Sequence, residues 1–487
     1  RRHHEAFSLT SMVDAHERLV ATSPPDSEER ARHLLGAGRI SEGAEELRAA
    51  ALAAGRRGAW PSAARLWERV REHRTLNPSE LGDLAEMSSR AGRGRAAARV
   101  WRQLATREVD AERQLQLLRR AGASLLSAGV EGEGLEVMRD VLAKARVPIP
   151  RTLPGQAVRL IRAKRATRDL SVPEARGRLG FGERVALDAL DDVATGLSLW
   201  RPLQSAIAQA ELLRLALKSA DRRYLCKAMC TQVIQQAGFE YDTEASERMA
   251  SLLARLSAEL GSQEGELYLE AGLAGRYWME GVPGKAHHHA ERALAKLDGL
   301  AHPTPWFRSS VHLLLVTNLA EVGRLDELRR ILPYLLQDAR DREDLHAESH
   351  LLVHGQAWID RIEGRYERGL ANLDRAMAPW RSLGTTLLSV FEGFQRVQLL
   401  IAADRLDEAL AFFRALDRRT RWSPLMALDS HRSLRAVTEA LLASALVDER
   451  GTRSDRRRLA RARRALLSRP HPYTRVQNLA LTSRSAD

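Results

Sequence analysis

Cysteine and aromatic residues are scarce in this chain of 487 residues. Its two cysteines, Cys226 and Cys230, exclude a framework of several disulfides and suit a reducing, cytoplasmic environment. Phe, Trp and Tyr together make up 5% of the chain, and Gly and Pro occur singly at intervals. Ala, Leu, Arg and Glu dominate instead. This composition is typical of many helices joined by short turns and predicts no β-sheet.

Long apolar runs are also missing. A membrane-spanning helix needs about 20 predominantly apolar residues, but the richest run, 313–316, is soon interrupted by Asn318 and Glu321. We therefore predict no membrane span. The sequence begins with Arg-Arg-His-His, without Met or an apolar signal core. We expect no secretion signal and interpret the chain as a segment of a longer protein.

Lysine is rare among the basic residues. The formal net charge is +13, which would ordinarily suggest nucleic acid or an anionic surface as a partner. Only six of the 76 basic side chains are Lys, however, and so uneven a ratio is better explained by GC-rich codon usage than by phosphate recognition. We therefore do not expect nucleic acid to be the main partner.

The motifs of phosphoryl transfer are absent. A protein kinase needs a Gly-rich loop, a strand Lys, a His-Arg-Asp loop and an Asp-Phe-Gly metal site, and the sequence contains none of them. A P-loop is excluded because Lys285 is followed by Ala286 instead of Ser or Thr. The turn at 92–97 imitates a dinucleotide fingerprint but follows a predicted helix. We predict no catalytic residue, no cofactor-binding residue, no metal ligand and no cofactor.

What the sequence does contain is a recurring turn. In each copy a Gly, or Asp at position 404, is followed two residues later by an apolar residue and five residues later by a small one, before apolar positions at helical spacing. The clearest copies begin at Gly58, Gly364 and Asp404. Looser copies begin at Gly38, Gly92, Gly129, Gly281 and Gly323. Such repetition is the signature of stacked helix pairs, in which the small residue lets two helices approach closely.

The spacing of these turns indicates the kind of array. From Gly196 through Gly238 to Asp404 the steps are 42, 43, 42, 41 and 40 residues, although the first two copies match weakly. In the first half the steps from Gly58 to Gly129 are 34 and 37 residues, near the tetratricopeptide length of about 34. We predict an all-α fold, a tetratricopeptide-like superhelical solenoid of antiparallel helix pairs.

Helix faces and helix starts support this fold. Five apolar residues between 328 and 336 stand at i, i+3, i+4, i+7 and i+8, which is the pattern of one buried helix face. Asn77 is placed to cap a helix, Pro78 suits the first helical position, and Glu80 completes a capping box.

Composition divides the chain into four segments. We expect N-terminal tetratricopeptide-like repeats in 1–143 and a second solenoid of helix pairs, each about 40 residues long, in 179–448. Residues 144–178 form a Pro-flanked basic connector, and residues 449–487 form an Arg-rich helix followed by a disordered tail. The Arg-rich helix is interpreted as a solvated terminus or, alternatively, as a surface that docks onto nucleic acid or another domain.

Two groups of histidines resemble metal ligands. His346, His350 and His354 fall on one helix face, but the outer two lie about 12 Å apart at a rise of about 1.5 Å per residue, so at most two of them could bind one ion. We interpret them as a solvated or interhelical stripe, with adventitious metal as the alternative. The residues at 287–289 fan around a helix and are interpreted as structural.

Cysteine and tryptophan also have two interpretations each. Cys226 and Cys230 share a helix face and are expected to behave as buried small hydrophobes, with a redox or metal role as the alternative. Trp60, Trp67 and Trp101 stand at repeat positions that normally face the core; the alternative is a groove for a peptide.

The segment 127–142, SAGVEGEGLEVMRDVL, is followed by VPIPRTLP at 147–154 and then by a basic helix. This run resembles the C-terminal repeat region of large bacterial serine/threonine protein kinases, in which a kinase domain and an AAA-type ATPase module precede tetratricopeptide-like helices. The likeness extends through Gly196-Leu-Ser to about residue 420, and residues 31–70 match the helices that follow the ATPase module.

The resemblance implies a non-catalytic scaffold or sensor region. Its expected partner is another protein or the upstream kinase and ATPase domains of the same protein. The resemblance carries no catalytic residue onto this chain. The same architecture in an ATPase-type transcription regulator is the first alternative, and a free-standing tetratricopeptide adaptor is the second.

Overall fold

A computed structural model describes residues 9–167, 172, 179–198, 201–239, 243–300, 305–342, 344–421, 423 and 429–467. Throughout these ranges the regular elements are helices, and no strand is formed. No helix in the described part is long and apolar enough to cross a membrane. Successive helices pack against each other as antiparallel pairs. The predicted all-α, tetratricopeptide-like fold is confirmed.

The chain divides into two compact units. The first comprises Arg1–Val141 with Arg340–Asp344, and the second comprises Leu142–Ala339 with Leu345–Asp487. The helices that begin in the first unit are α1 Leu9–Thr22, α2 Glu28–Gly36, α3 Ile40–Arg56, α4 Trp60–His73, α5 Pro78–Arg90, α6 Gly94–Arg107, α7 Ala111–Ser127 and α8 Glu131–Lys144.

The second unit contains the remaining helices. In order these are α9 Leu153–Ala166, α10 Phe181–Gly196, α11 Pro202–Ser219, α12 Arg222–Phe239, α13 Thr243–Leu260, α14 Gln263–Met279, α15 Pro283–Asp298, α16 Pro305–Glu321, α17 Leu325–Asp341, α18 Leu345–Leu351, α19 Ala357–Ile362, α20 Tyr366–Met377, α21 Leu387–Ala402, α22 Leu406–Thr420, α23 Asp429–Arg450 and α24 Arg453–Leu467. A π-helical segment, Leu352–Gln356, joins α18 to α19, and a 3₁₀ turn, Ala378–Leu383, follows α20.

The predicted hairpin turns form by local backbone chemistry. Gly58 has φ of 75°, in the left-handed region that favours glycine. The N–H of Ala59 then donates to the carbonyl of Ala54 over 3.0 Å, which closes a Schellman motif. The same φ and the same hydrogen bond recur at Gly38, Gly92, Gly129, Gly281, Gly323, Gly364 and, with φ of 59°, Asp404.

Two weakly matching copies, at Gly196 and Gly238, differ from this geometry. Gly196 is the last residue of α10 and Gly238 is the second-last residue of α12, so both lie where a helix ends, but neither has a positive φ. Among the described residues from 197 to 261, Ala220 and Gly261 are left-handed, with φ of 56° and 58°. Gly238 allows close packing between α12 and α14, because a Cβ added there would lie 3.0 Å from the sulfur of Met279.

The small residue that follows each turn lies where the two helices touch. Ala63, Ala97 and Ala409 have no exposed surface. A Cβ added to Gly369 would lie 2.9 Å from Cδ2 of Leu399, so any larger side chain would push the helices apart. These contacts explain why the sequence repeat carries Ala or Gly at this position.

The first unit buries two of its three repeat tryptophans. Trp67 and Trp101 are 1% and 3% exposed, as the core interpretation predicts. Trp60 differs, because it is only half-buried and the Arg90 guanidinium lies 4.7 Å from its ring centroid. The capping box at Asn77 forms as predicted: its Oδ1 accepts the N–H of residue 80 over 3.0 Å, and the Glu80 carboxylate accepts its N–H in return.

The basic segment between the predicted solenoids folds as α9 and packs on α11. Arg159 pairs with the buried carboxylate of Glu211 at 2.6 Å, so this part of the predicted connector belongs to the second unit. The Arg-rich helix α24 packs on α23 through Ala462 and Leu466. The predicted disordered tail from residue 468 onward lies outside the described residues.

Candidate functional site

The second unit contains a partly open cavity of about 250 Å³. Its walls come from α11, α12, α14, α16, α18, the π-helical segment, α21 and α23. Apolar side chains make up most of the lining, among them Ile234, Leu314 and Phe391. Since helices from distant parts of the sequence contribute, the tertiary packing of the unit creates this space.

No charged side chain lines the cavity among the described residues. The polar groups that face it are the imidazoles of His350, His354 and His431, together with Ser, Thr, Gln and Cys side chains. Cys230 behaves as a small apolar residue, because burial raises the pKa of its thiol to about 12. Burial does the same to the pKa of Cys226. Neither thiol ionises near neutral pH, which disfavours the redox and metal interpretations.

The histidines belong to a continuous series of ring contacts. The rings of His350 and His354 stack with centroids 5.6 Å apart and planes 8° apart. His354 then meets Phe391 edge-to-face at 4.7 Å, and Phe391 meets His431 in the same way at 4.9 Å. Trp278 lies 6.3 Å from Phe391 on another side of the cavity. Five helical segments, α14, α18, the π-helical segment, α21 and α23, therefore present one aromatic surface.

The π-helical segment holds His354 in this wall. Single π turns interrupt α-helices rarely and occur frequently at functional sites. Here the interruption coincides with a close helix contact. A Cβ added to Gly355 would lie 2.7 Å from Val316 and 2.9 Å from Leu332. Glycine is thus required where α16 and α17 press on the segment that carries His354.

The imidazoles of the cavity are uncharged at neutral pH. Burial lowers the pKa of His354 and of His431 to about 4. Burial also lowers the pKa of His350 well below its ordinary value, and the neighbouring His346 and His354 add to the effect. Protonation would place a positive charge in an apolar space without a counterion, which is costly.

Hydrogen-bonding capacity in the wall is left unused. Neither ring nitrogen of His350, nor Nε2 of His354, has a hydrogen-bond partner in the described protein. Both side chains are buried, at 3% and 5% exposure. A buried polar group without a partner costs about 1 to 3 kcal/mol. The site therefore holds donor and acceptor positions that a bound molecule can satisfy.

The histidine stripe predicted from sequence is thus interhelical at His350 and His354. The solvated interpretation is wrong for these two, and His346 is half-buried. The sequence did not single out Phe391 or His431. Phe391 is one of many apolar residues on α21, and His431 has no second histidine near it on α23, so no local spacing marks either as part of a site.

A second polar cluster lies on α15 and α17. In the described residues, the ligand atoms of His287, Glu291 and Glu327 lie within 4.8 Å of one another, a spacing that could hold a metal ion. The guanidinium of Arg324, however, contacts Nε2 of His287 and pairs with Glu327. A guanidinium thus already contacts two of the three candidate ligands, which makes this cluster a poor metal site.

The histidine triplet at 287–289 points in different directions, as its interpretation requires. His287 is buried, His288 is exposed, and Nδ1 of His289 donates to the Glu270 carboxylate at 2.7 Å. These contacts are consistent with the structural interpretation of the triplet.

The fold and the cavity together define a helical-repeat protein with an internal, ligand-sized site. No family model matches the chain, and no curated protein matches it significantly. Among solved structures the chain is similar to the crystal structure of the yeast Tom70. That match covers 92% of this chain and 97% of the other at 10% identity, with a TM-score of 0.37.

Proposed function

We propose that this chain is a non-catalytic scaffold and sensor region that binds a small apolar ligand in the cavity of its second unit. The observation that carries the proposal is the cavity itself. Apolar walls with a few converging polar groups are the common form of a small-molecule site. Here the unpartnered nitrogens of His350 and His354 supply those polar groups.

The position of the cavity explains how binding acts on the fold. In helical-repeat proteins most contacts run between neighbouring repeats. In the second unit α12 also contacts α23, far along the chain, and the cavity lies beside this contact. A ligand that touches α11 and α12 on one side and α21 and α23 on the other favours the state in which they are close. Binding therefore couples hairpins that are distant in sequence.

We further propose that this coupling regulates the other modules of a multidomain, cytoplasmic serine/threonine protein kinase. The support is the resemblance of segment 127–142 and the following helices to the repeat region of such kinases. Partners are then the upstream kinase and ATPase domains or a separate protein. An ATPase-type transcription regulator and a free-standing adaptor are the alternatives. Kinase motifs encoded upstream of Arg1 favour the first context, and a helix-turn-helix at either end of the gene product favours the second.

Hydrogen exchange tests the sensor proposal directly. 2-Naphthol, a two-ring molecule with one hydroxyl group, serves as the probe. At saturation it should slow amide exchange in α12, α16 and α23 together and leave α3 to α6 of the first unit unchanged. Ala206 lines the cavity, so Ala206→Trp fills it and should abolish the response to the probe. No change in exchange, or equal change in both units, would contradict the proposal.

Deletion tests the regulatory part of the proposal. Autophosphorylation of the parent protein is compared with and without residues 1–487, and with Ala206→Trp in the complete chain. We expect deletion to change the regulation of phosphorylation without abolishing it. Unchanged activity in all three forms would refute a regulatory role.

A further inference from the structure

We infer that the cavity selects an uncharged aromatic molecule, about two fused rings in size, that carries one hydroxyl group. This inference rests on the proposed function and specifies its ligand. It follows from four properties of the cavity: charge, ring chemistry, volume and hydrogen-bonding capacity.

Charge is the first property. The described lining contains no Asp, Glu, Lys or Arg, so a ligand carboxylate or ammonium group would enter without a counterion. Burying an unpaired charge costs far more than burying a neutral polar group. The imidazoles resist becoming the counterion, because burial already keeps them neutral. A ligand without formal charge is therefore favoured.

Ring chemistry is the second property. Trp278, Phe307 and Phe391 line the cavity beside the histidine rings. Aromatic side chains favour aromatic partners in offset or edge-to-face arrangements, beyond the gain from buried area alone. Phe391 already makes edge-to-face contacts with His354 and His431, so the surface is preorganised and a flat ligand orders few side chains on binding.

Volume is the third property. An apolar cavity of about 150 Å³ accepts benzene. The present cavity of about 250 Å³ is larger, but it is smaller than most sites for drug-sized molecules. It therefore has room for more than one ring.

Hydrogen bonding is the fourth property. A neutral imidazole has one N–H donor and one nitrogen acceptor. His350 lines the cavity and has both of its ring nitrogens unpartnered, and Nε2 of His354 is a third unpartnered position, whose role depends on its tautomer. A hydroxyl group donates one hydrogen bond and accepts others, so a single hydroxyl can satisfy a donor and an acceptor in this wall. A purely apolar ligand would leave the histidine donor and the histidine acceptor without hydrogen-bond partners.

Three probes that share the naphthalene ring test the inference on the full chain: 2-naphthol, naphthalene and 2-naphthoate. Calorimetry or ligand fluorescence at pH 7 measures the dissociation constants. We expect saturable one-to-one binding of 2-naphthol. Naphthalene should bind about 5- to 30-fold more weakly, because it makes no hydrogen bond. 2-Naphthoate should bind at least about 100-fold more weakly, because its charge has no partner.

Variants assign the effect to the wall. His350→Phe keeps a ring of similar size but removes both nitrogens, so 2-naphthol should bind no better than naphthalene, whose affinity should hardly change. His288→Phe is the matched control: this residue is exposed on α15 and does not line the cavity. It should leave all three affinities unchanged. Ala206→Trp should abolish binding of every probe.

Separate outcomes distinguish this inference from the function on which it rests. Equal affinity for 2-naphthol and naphthalene, or tighter binding of 2-naphthoate, would overturn the inference. If those probes still lose binding in Ala206→Trp, the sensor proposal stands. If no probe binds, the cavity holds only water and both are overturned. If His350→Phe fails to fold, the inference is still tested by the order of the three probe affinities in the unsubstituted chain. The loss of probe binding in Ala206→Trp still shows whether the probes bind in the cavity.

Discussion

Leu332 offers a sharp test of how the second unit is held together. It lies in α17 with no exposed surface, and one of its δ-methyl groups packs against the backbone at Gly355 in the π-helical segment. Replacing it with Ala removes about three buried carbons, worth about 2.4 kcal/mol at about 0.8 kcal/mol each. The space left behind adds a cavity term. We therefore expect Leu332→Ala to lower the free energy of unfolding by about 2 to 5 kcal/mol.

The loss should also be local. Repeat arrays are stabilised mainly by contacts between neighbours, and Leu332 belongs to a core cluster that runs from α14 to α23. Hydrogen exchange should accelerate first in α17 and the π-helical segment, while α3 to α6 of the first unit keep their protection. Since the π-helical segment carries His354, the same substitution should weaken the binding of 2-naphthol.

Urea unfolding followed by circular dichroism measures the magnitude, and hydrogen exchange with mass spectrometry measures the location. Leu345→Ala is the matched control, because Leu345 on α18 is 51% exposed. It should cost less than about 1 kcal/mol. Equal costs for the two substitutions would refute the packing argument, and uniform loosening from α2 to α24 would refute the claim that damage stays local.

Three further predictions concern pH, catalysis and charge. Burial lowers the pKa of His354 to about 4, so between pH 6.5 and 4 the unfolded chain binds a proton that the folded chain does not. The free energy of unfolding should therefore fall as pH falls, by about 2 kcal/mol for this residue at pH 5, and His354→Phe should reduce the difference between urea midpoints at pH 7 and pH 5. The purified chain with ATP and Mg²⁺ should release no phosphate; turnover that survives repurification would reveal an active site that we missed. Deleting Arg453–Leu467 should remove most of the salt dependence of any DNA binding in a fluorescence titration, and tight, sequence-selective binding at physiological salt would contradict our view of the net charge.

Much of the fold could be predicted because its signals are local. A left-handed glycine, a six-residue Schellman closure and a small residue five positions later all lie within one turn, and they recur from Gly38 to Asp404. The cap at Asn77 likewise depends only on residues within three positions of it. Gly238 shows the limit of this reasoning, because it lies in α12 and allows close packing against Met279, and sequence spacing alone does not separate a packing glycine from a turn glycine.

The candidate site could not be predicted in the same way. Sequence placed His350 and His354 on one helix face, but whether that face meets solvent, a metal or another helix depends on what packs against it. Only the tertiary structure brings Phe391 and His431 to these rings and forms an uncharged cavity between them. The physical reason is the separation in sequence between the residues that decide each feature. Turns and caps are decided by backbone chemistry over a few residues, whereas burial and the pKa of a histidine are decided by helices that come from distant parts of the chain.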